Sequence, residues 1–226
     1  MMEWLDEGEA GNTVSENGNR VLTIGHSTLA LETFLTMLDR AGVTALADVR
    51  SSPFSRRVPH FSRDQFRAAL KERGVKYVFL GKELGGRPRA SRLYFNGVAD
   101  YEKMALEPDF LKGIDRVVSG AKKHTIALMC SEHNPLDCHR CLLVGRALSE
   151  RHISLGHILN SGRLADQHEI EEKLLSLFGG ATDDMFATRE DRLAKAYRLR
   201  AKNVAYREPQ PEMPRPPASD WHDHAP

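Results

Sequence analysis

Strand and helix signals alternate along residues 20–178, and this predicts an α/β fold with a mainly parallel sheet of about five strands and helices on both faces. Three observations support it. Short apolar runs recur between amphipathic stretches. The stretches between them are long enough to be crossover helices. Four of the runs end in polar, charged or glycine-containing clusters, as strands do when their carboxyl ends open on a ligand crevice.

Residues 21–24 form the first expected strand. A helix follows over 31–41, with Phe34, Leu35 and Leu38 on one face and Gly42 as its C-terminal stop. The second strand is 44–49. Ser62 is the expected N-cap of a helix running to about Arg73 and closed by Gly74, after which 75–80 is the third strand. Residues 81–97 read as a long polar loop. Residues 99–121 are helical, with a break at Pro108, whose ring cannot continue the hydrogen-bond ladder. The fourth strand covers 125–129 and stops on Cys130. Asn134 and Pro135 then mark a helix start, Asn as N-cap and Pro at the first helical position, where its missing N–H is not needed. That helix is expected to reach about Arg151, with Cys138, His139 and Arg140 in its first turns. Residues 153–159 make the fifth strand and 166–178 a closing amphipathic helix. Beyond it, Thr188 and Asp191 suit the N-cap and third position of a charged helix ending at Val204.

The organisation is thus an acidic leader over 1–19, one α/β domain over 20–178, and an extension over 179–226 that is helical and then proline-rich. The leader and the segment from Arg207 are expected to be disordered. At 226 residues and 41% hydrophobic, the chain can bury a sizeable core. No apolar run is long enough to span a bilayer, and the leader has no basic region followed by an apolar one, so a cytoplasmic protein is expected. Three cysteines are too few, and odd in number, for a secreted disulfide scaffold, which leaves thiols for chemistry. A net charge of +1 hides an asymmetry: residues 50–92 carry twelve bases against three acids, a local excess of +9 that favours an anionic partner. Several of these bases, Arg63, Arg67, Lys71 and Arg73 among them, also suit the solvated face of a helix.

The strand-end clusters are Gly25-His26-Ser27, Asp48-Val49-Arg50, Gly81-Lys82-Glu83-Leu84-Gly85-Gly86-Arg87 and Cys130-Ser131-Glu132. A helix N-terminus facing Cys130 would favour its thiolate and would attract an anion. In chain order, Gly25-His26-Ser27, Asp48-Val49-Arg50 with Pro53 and the Ser55-Arg56 pair, Leu84-Gly85-Gly86, Cys130-x-Glu132 and Cys138-His139-Arg140 resemble the bacterial and archaeal family known as domain of unknown function 488. The resemblance extends over about residues 21–178. It implies a Rossmann-like three-layer sandwich and marks His26, Asp48, Arg50, Arg56, Cys130, Glu132, Cys138, His139 and Arg140. It implies no activity, and Cys141 is not part of the pattern.

Three chemistries fit these residues. In the first, Cys130 is a nucleophile assisted by His26 or His139, while Arg50, Arg56 or Arg140 grips an anionic group. The phosphatase form of this chemistry returns an Arg six residues after the Cys, where this chain has Leu136. In the second, Glu132 and Asp48 divide acid and base roles at a glycosidic or phosphoester bond, with Phe54, Phe61, Tyr77 or Tyr94 available to stack on a base. Phe61 and Tyr77 also suit the core. In the third, a metal is held by some of Cys130, Cys138, Cys141, His139, His26 and His133. One Cys-x-x-Cys unit without a second assigns no ligand set, and the cofactor stays unassigned. Cys141 suits a buried helix face and His157 a satisfied core position. Asp48 and Arg50 are expected to diverge rather than pair, leaving Asp48 to cap the next helix or to hold His26.

The sequence therefore points to an enzyme, a hydrolase or transferase, acting on a nucleotide, nucleic acid or other phosphorylated substrate. Its catalytic candidates are Cys130, Glu132, His26 and Asp48. Its anion-binding candidates are Arg50, Arg56, Ser27, Cys138, His139, Arg140 and Arg87. The alternatives are a non-catalytic nucleotide or nucleic-acid binding module and a metal-binding protein. The expected partner is an anionic small molecule or nucleic acid and not a membrane, and a homodimer is allowed for.

Overall fold

A computed structural model of the protein describes residues 20–178 and 187–209. The acidic leader and all but the first three residues of the proline-rich tail lie outside the described residues. In chain order the elements are β1 (Arg20–Gly25), α1 (Leu31–Arg40), β2 (Ala45–Asp48), α2 (Arg63–Glu72), β3 (Lys76–Phe79), the single-turn α3 (Gly81–Leu84), β4 (Tyr94–Phe95), β5 (Val98–Ala99), α4 (Tyr101–Ala105), α5 (Pro108–Ala121), β6 (Ile126–Cys130), α6 (Arg146–Ser149), β7 (Ser154–Ile158), β8 (Leu164–Asp166), α7 (Gln167–Ser176) and α8 (Arg189–Val204).

The fold is α/β and Rossmann-like, with a main sheet in the order β3-β2-β6-β1-β7-β8. All neighbours in it are parallel except β8, which runs antiparallel to β7. Alternate residues of each strand feed opposite layers. Leu22, Ile24, Leu46, Ala127 and Met129 pack with Phe34 and Leu38 of α1 and Phe66 and Leu70 of α2. Val21, Ala45, Ala47, Ile126 and Leu128 face the other layer, with Phe110, Ile114 and Val117 of α5 and with the residues of α7 and α8. Each such large side chain contributes about 1.5–3 kcal/mol when fully buried. Among the described residues both faces of the sheet are therefore committed to packing, which leaves the strand ends as the place where a ligand can reach the sheet itself. There β1 and β6 lie side by side, with Gly25 opposite Cys130.

The structure differs from expectation in four places. The sheet has six strands rather than about five, because Leu164–Asp166 adds an edge strand too short to carry an alternating pattern. The expected loop 81–97 contains α3 and the first strand of a β4–β5 hairpin whose Asn96 and Gly97 both have positive φ, 49° and 72°. Asn-Gly is the signature of this turn. The helix expected from Pro135 to Arg151 is broken: Asn134 caps only a 3₁₀ turn, Pro135–Asp137, and Cys138 is extended at φ −134° and ψ 139°. Helical backbone resumes at His139, passes through a π-helical segment, Arg140–Gly145, and ends in α6. Finally, the segment expected to be unstructured from Arg207 begins as a strand partner, bridging Val98. Among the described residues no helix is long and apolar enough to cross a membrane.

Candidate functional site

The carboxyl ends of β2 and β6 and the segments that follow them border a cavity of about 360 Å³. Cys130, Glu132 and His139 lie on its floor, with Arg50, Ser51 and Arg87 among the residues around it. The break in the helix expected to carry Cys138 matters here. Being extended, Cys138 brings its Sγ beside that of Cys130, and one Glu132 carboxylate oxygen lies 2.9 Å from Cys130 Sγ and 3.1 Å from Cys138 Sγ. His139 Nδ1 completes the group at 3.6 Å from Cys130 Sγ and 3.8 Å from Cys138 Sγ. The four donor atoms all lie within 4.8 Å of one another.

Each of these groups is oriented from behind. His139 Nε2 donates to the Val49 carbonyl at 2.9 Å, so Nδ1 is the nitrogen turned to the thiols. Gly86 makes room for the ring: a Cβ there would come within 2.8 Å of His139 Cγ and 2.9 Å of Nδ1. Cys138 Sγ accepts the Arg140 backbone N–H at 3.4 Å. Arg140 is fully buried, and its guanidinium donates to the carbonyls of Glu132 at 2.7 Å and His133 at 3.2 Å, fixing the loop that carries Glu132. Gly25 is needed where this loop crosses β1, since a Cβ would stand 1.9 Å from the Glu132 carbonyl oxygen. The close approach that glycine permits is thus to the protein's own backbone, not to a ligand.

Burial sets the protonation of the cluster. The Cys130 thiol is pushed well up, first by burial and then by its hydrogen bond to Cys138, and it keeps its proton, donated to Glu132. Cys138 is driven well down: burial opposes its ionisation, but the Cys130 hydrogen bond and the charges of Arg140 and His139 outweigh it. Glu132 is exposed as a residue, but its carboxylate, set against the two thiols, is raised by local desolvation and then by the Cys138 charge. Cys130, Cys138 and Glu132 therefore share too few protons for all to be neutral.

The other candidates divide. Arg50 lines the cavity, yet all but one of its N–H donors serve the interior: Nε and Nη2 hold Asp48 at 2.9 and 2.6 Å, Nη2 also reaches the Phe61 carbonyl, and Nη1 meets His26 Nε2 at 3.3 Å. Asp48 is fully buried, accepts also from Tyr77 Oη at 2.7 Å, and does not reach the cavity. The expectation that Asp48 and Arg50 diverge is corrected by the geometry of extended chain, in which positions two apart share a side. His26 stacks on Phe61, bonds the Ser27 carbonyl through Nδ1, and is lowered to about 4 by burial and then by Arg50. It is a neutral buttress to Arg50. Ser27, at φ 46°, and the exposed Arg56 lie off the cavity lining, and Arg140 sits behind it. Arg87 is exposed at the rim, its guanidinium 4.7 Å from the Tyr206 ring centre.

Phe61 and Tyr77 pack in the interior, whereas Phe54, 66% exposed, lines the cavity. Cys141 is a core residue whose thiol is pushed up to about 12 by burial. His157 is satisfied by Thr23 Oγ1 at 2.9 Å and Gln167 Oε1 at 2.8 Å. Sequence reasoning missed the wall formed by Tyr101, Val204 and Tyr206. Arg200 of α8 anchors this wall by donating to the Leu136 carbonyl at 3.0 Å and pairing with Asp137, and the Tyr206 carbonyl accepts the Ala99 N–H at 2.9 Å. Nothing in the local pattern of residues 189–207 indicates that they return to strand ends so distant in the chain.

Residues 30–147, more than half of the chain, match the family described as domain of unknown function DUF488. That span is narrower than the 21–178 expected from motifs and leaves Gly25-His26-Ser27 outside it. Neither the curated proteins nor the solved structures compared with the chain contain a match. Matched over the stretch that holds Cys130, Glu132, Cys138 and His139, the chain belongs to the DUF488 family.

Proposed function

We propose that this protein is an enzyme, a hydrolase or transferase, that acts on a small phosphorylated substrate of nucleotide size, with Glu132 as its acid–base group. The observation that carries this reading is the position of Glu132 on the cavity floor, its carboxylate held between open space and two thiols. A cavity of about 360 Å³ suits a mononucleotide rather than a length of duplex. Arg87 at the rim, with the hydroxyls of Ser51 and Ser52, supports an anionic group on the ligand, and Phe54 and Tyr206 offer faces for a ring. Glu132 would take a proton from the attacking group and return it to the leaving group.

Nucleophilic attack by a cysteine is less well supported. Cys130, which lines the cavity, holds its proton, and Cys138, the more acidic thiol, is buried away from the lining. Asp48 has no part in the chemistry, since its carboxylate serves Arg50 and Tyr77.

The test is incubation of the protein with nucleoside mono-, di- and triphosphates, with product detected by mass spectrometry and binding by calorimetry. Glu132→Gln should bind the responsive nucleotide but form no product, and Arg87→Ala should raise KM about tenfold or more with kcat largely kept. Tight nucleotide binding without turnover by the wild type would make the protein a binding module and overturn the reading. An absence of any nucleotide binding would overturn the substrate class.

A further inference from the structure

We infer that Cys130, Cys138 and His139 form a binding site for a zinc-class divalent ion, with Glu132 facing the fourth, open position. A tetrahedral ion with bonds of about 2.3 Å to sulfur and 2.0–2.1 Å to nitrogen needs sulfur–nitrogen edges near 3.5 Å and a sulfur–sulfur edge near 3.8 Å. The two sulfur–nitrogen edges here are 3.6 and 3.8 Å, so each sulfur meets the imidazole nitrogen at the spacing such an ion needs to within a few tenths of an ångström, and all the donor atoms lie within 4.8 Å of one another. The donor nitrogen is already selected, because Nε2 is tied to the Val49 carbonyl, an arrangement that metal-bound histidines commonly use. The Arg140 N–H to Cys138 Sγ supports a thiolate in the same way.

The donors are also held rigidly. Cys130 closes a buried strand whose carbonyl accepts the His26 N–H at 2.9 Å, and His139 is wedged against Gly86. Charge is balanced, since two thiolates offset the ion and the buried Arg140 guanidinium offsets Glu132. Whatever protons the two thiols carry leave on binding, so Glu132 loses its thiol contacts and is freed for a water in the fourth position. Soft thiolates with imidazole select zinc-class ions over magnesium or calcium.

The use of the ion in catalysis rests on the function proposed above, whereas its binding does not. In hydrolysis the bound water gives one proton to Glu132, the hydroxide forms the new bond, the leaving-group bond breaks, and Glu132 returns the proton to the leaving group. One water is consumed and nothing is oxidised or reduced.

Cobalt(II) titration of the metal-free protein reads binding without activity. The expected result is one ion per chain, with a sulfur-to-cobalt charge-transfer band in the near ultraviolet and tetrahedral visible bands. Cys130→Ser, Cys138→Ser and His139→Ala should each lose at least tenfold in affinity, whereas Glu132→Gln should keep the ion and its spectrum and lose turnover. Unmutated protein gives a second readout that does not depend on the variants folding: zinc should slow alkylation of Cys130 and Cys138 at least tenfold relative to the chelated protein. No charge-transfer band, or equal alkylation with zinc and with chelator, would overturn the site. Metal binding with an active Glu132→Gln would leave the site standing and refute the catalytic role of Glu132.

Discussion

Replacing Asp48 by Asn tests the assignment of this carboxylate to the framework rather than to the chemistry. Asp48 is fully buried and accepts from the Arg50 backbone at 3.1 Å, from Arg50 Nε and Nη2, and from Tyr77 Oη. Asn keeps one acceptor oxygen but turns an NH₂ toward a guanidinium that is 4% exposed. Removing one partner of a buried ion pair costs about 3–5 kcal/mol, because the remaining charge is left without compensation. Against a typical domain stability of about 5–15 kcal/mol this is a large fraction. Urea unfolding followed by far-ultraviolet circular dichroism should show the midpoint falling with little change in slope. Arg50→Met should fall comparably, by leaving Asp48 unpaired. The combination Asp48→Leu, Arg50→Met and Tyr77→Phe removes the buried charges and the phenol hydroxyl together, leaving only the Phe61 carbonyl, His26 Nε2 and the backbone N–H at position 50 without these partners, and should regain part of the loss. A loss below about 1 kcal/mol for Asp48→Asn, or purely additive losses in the combination, would refute the buried-pair argument.

Two further predictions follow from the same geometry. Gly86→Ala places a Cβ inside contact distance of the His139 ring, which must retreat by about half an ångström. Metal affinity should fall about 10–100-fold while the fold is kept, and unchanged cobalt affinity would contradict the wedge. His157 is lowered from its ordinary 6.5 to about 4 by burial, so between these values the unfolded chain binds a proton that the folded chain refuses. Its contribution is complete above about pH 6.5 and is lost as pH falls toward 4, which corresponds to about 2 kcal/mol between neutral pH and pH 4.5. His157→Gln should flatten that part of the curve, measured by urea unfolding at both pH values, and parallel curves would contradict it.

How much of this was legible in the sequence depends on how local the cause is. The apolar run ending on Cys130 shows the central strand, and Pro108 shows the break between α4 and α5, because each acts within a few residues. The gathering of Cys130, Glu132 and His139 is half legible: a strand-end rule brings the segments together, and the Cys-x-Glu and Cys-His pairs supply the groups. What the rule cannot supply is backbone detail. Cys138 reaches Glu132 only because it is extended where Asn134-Pro135 had indicated continuous helix. The Asn96-Gly97 turn is a local signal too, but the two-residue strands beside it are too short to carry an alternating pattern. The partnership of Asp48 with Arg50 follows from strand periodicity alone and needed no tertiary information. The wall from α8 is different in kind, being set by tertiary docking of a charged helix with a modest apolar stripe.

Two of the three wall residues, Val204 and Tyr206, come from the last stretch of described chain, and this gives the pocket an order of assembly. Synthesis delivers β1, β2 and β6 and every floor residue well before Val204 and Tyr206, and the bonds from Ala99 to Tyr206 and from Leu136 to Arg200 close long loops that form late. A nascent chain that folds its sheet before Val204 and Tyr206 emerge has a complete floor and only the Tyr101 part of the wall, open on the side that Tyr206 later covers. Ions and small thiol reagents meet Cys130 and Glu132 through a wider opening at that stage than they do past the finished wall.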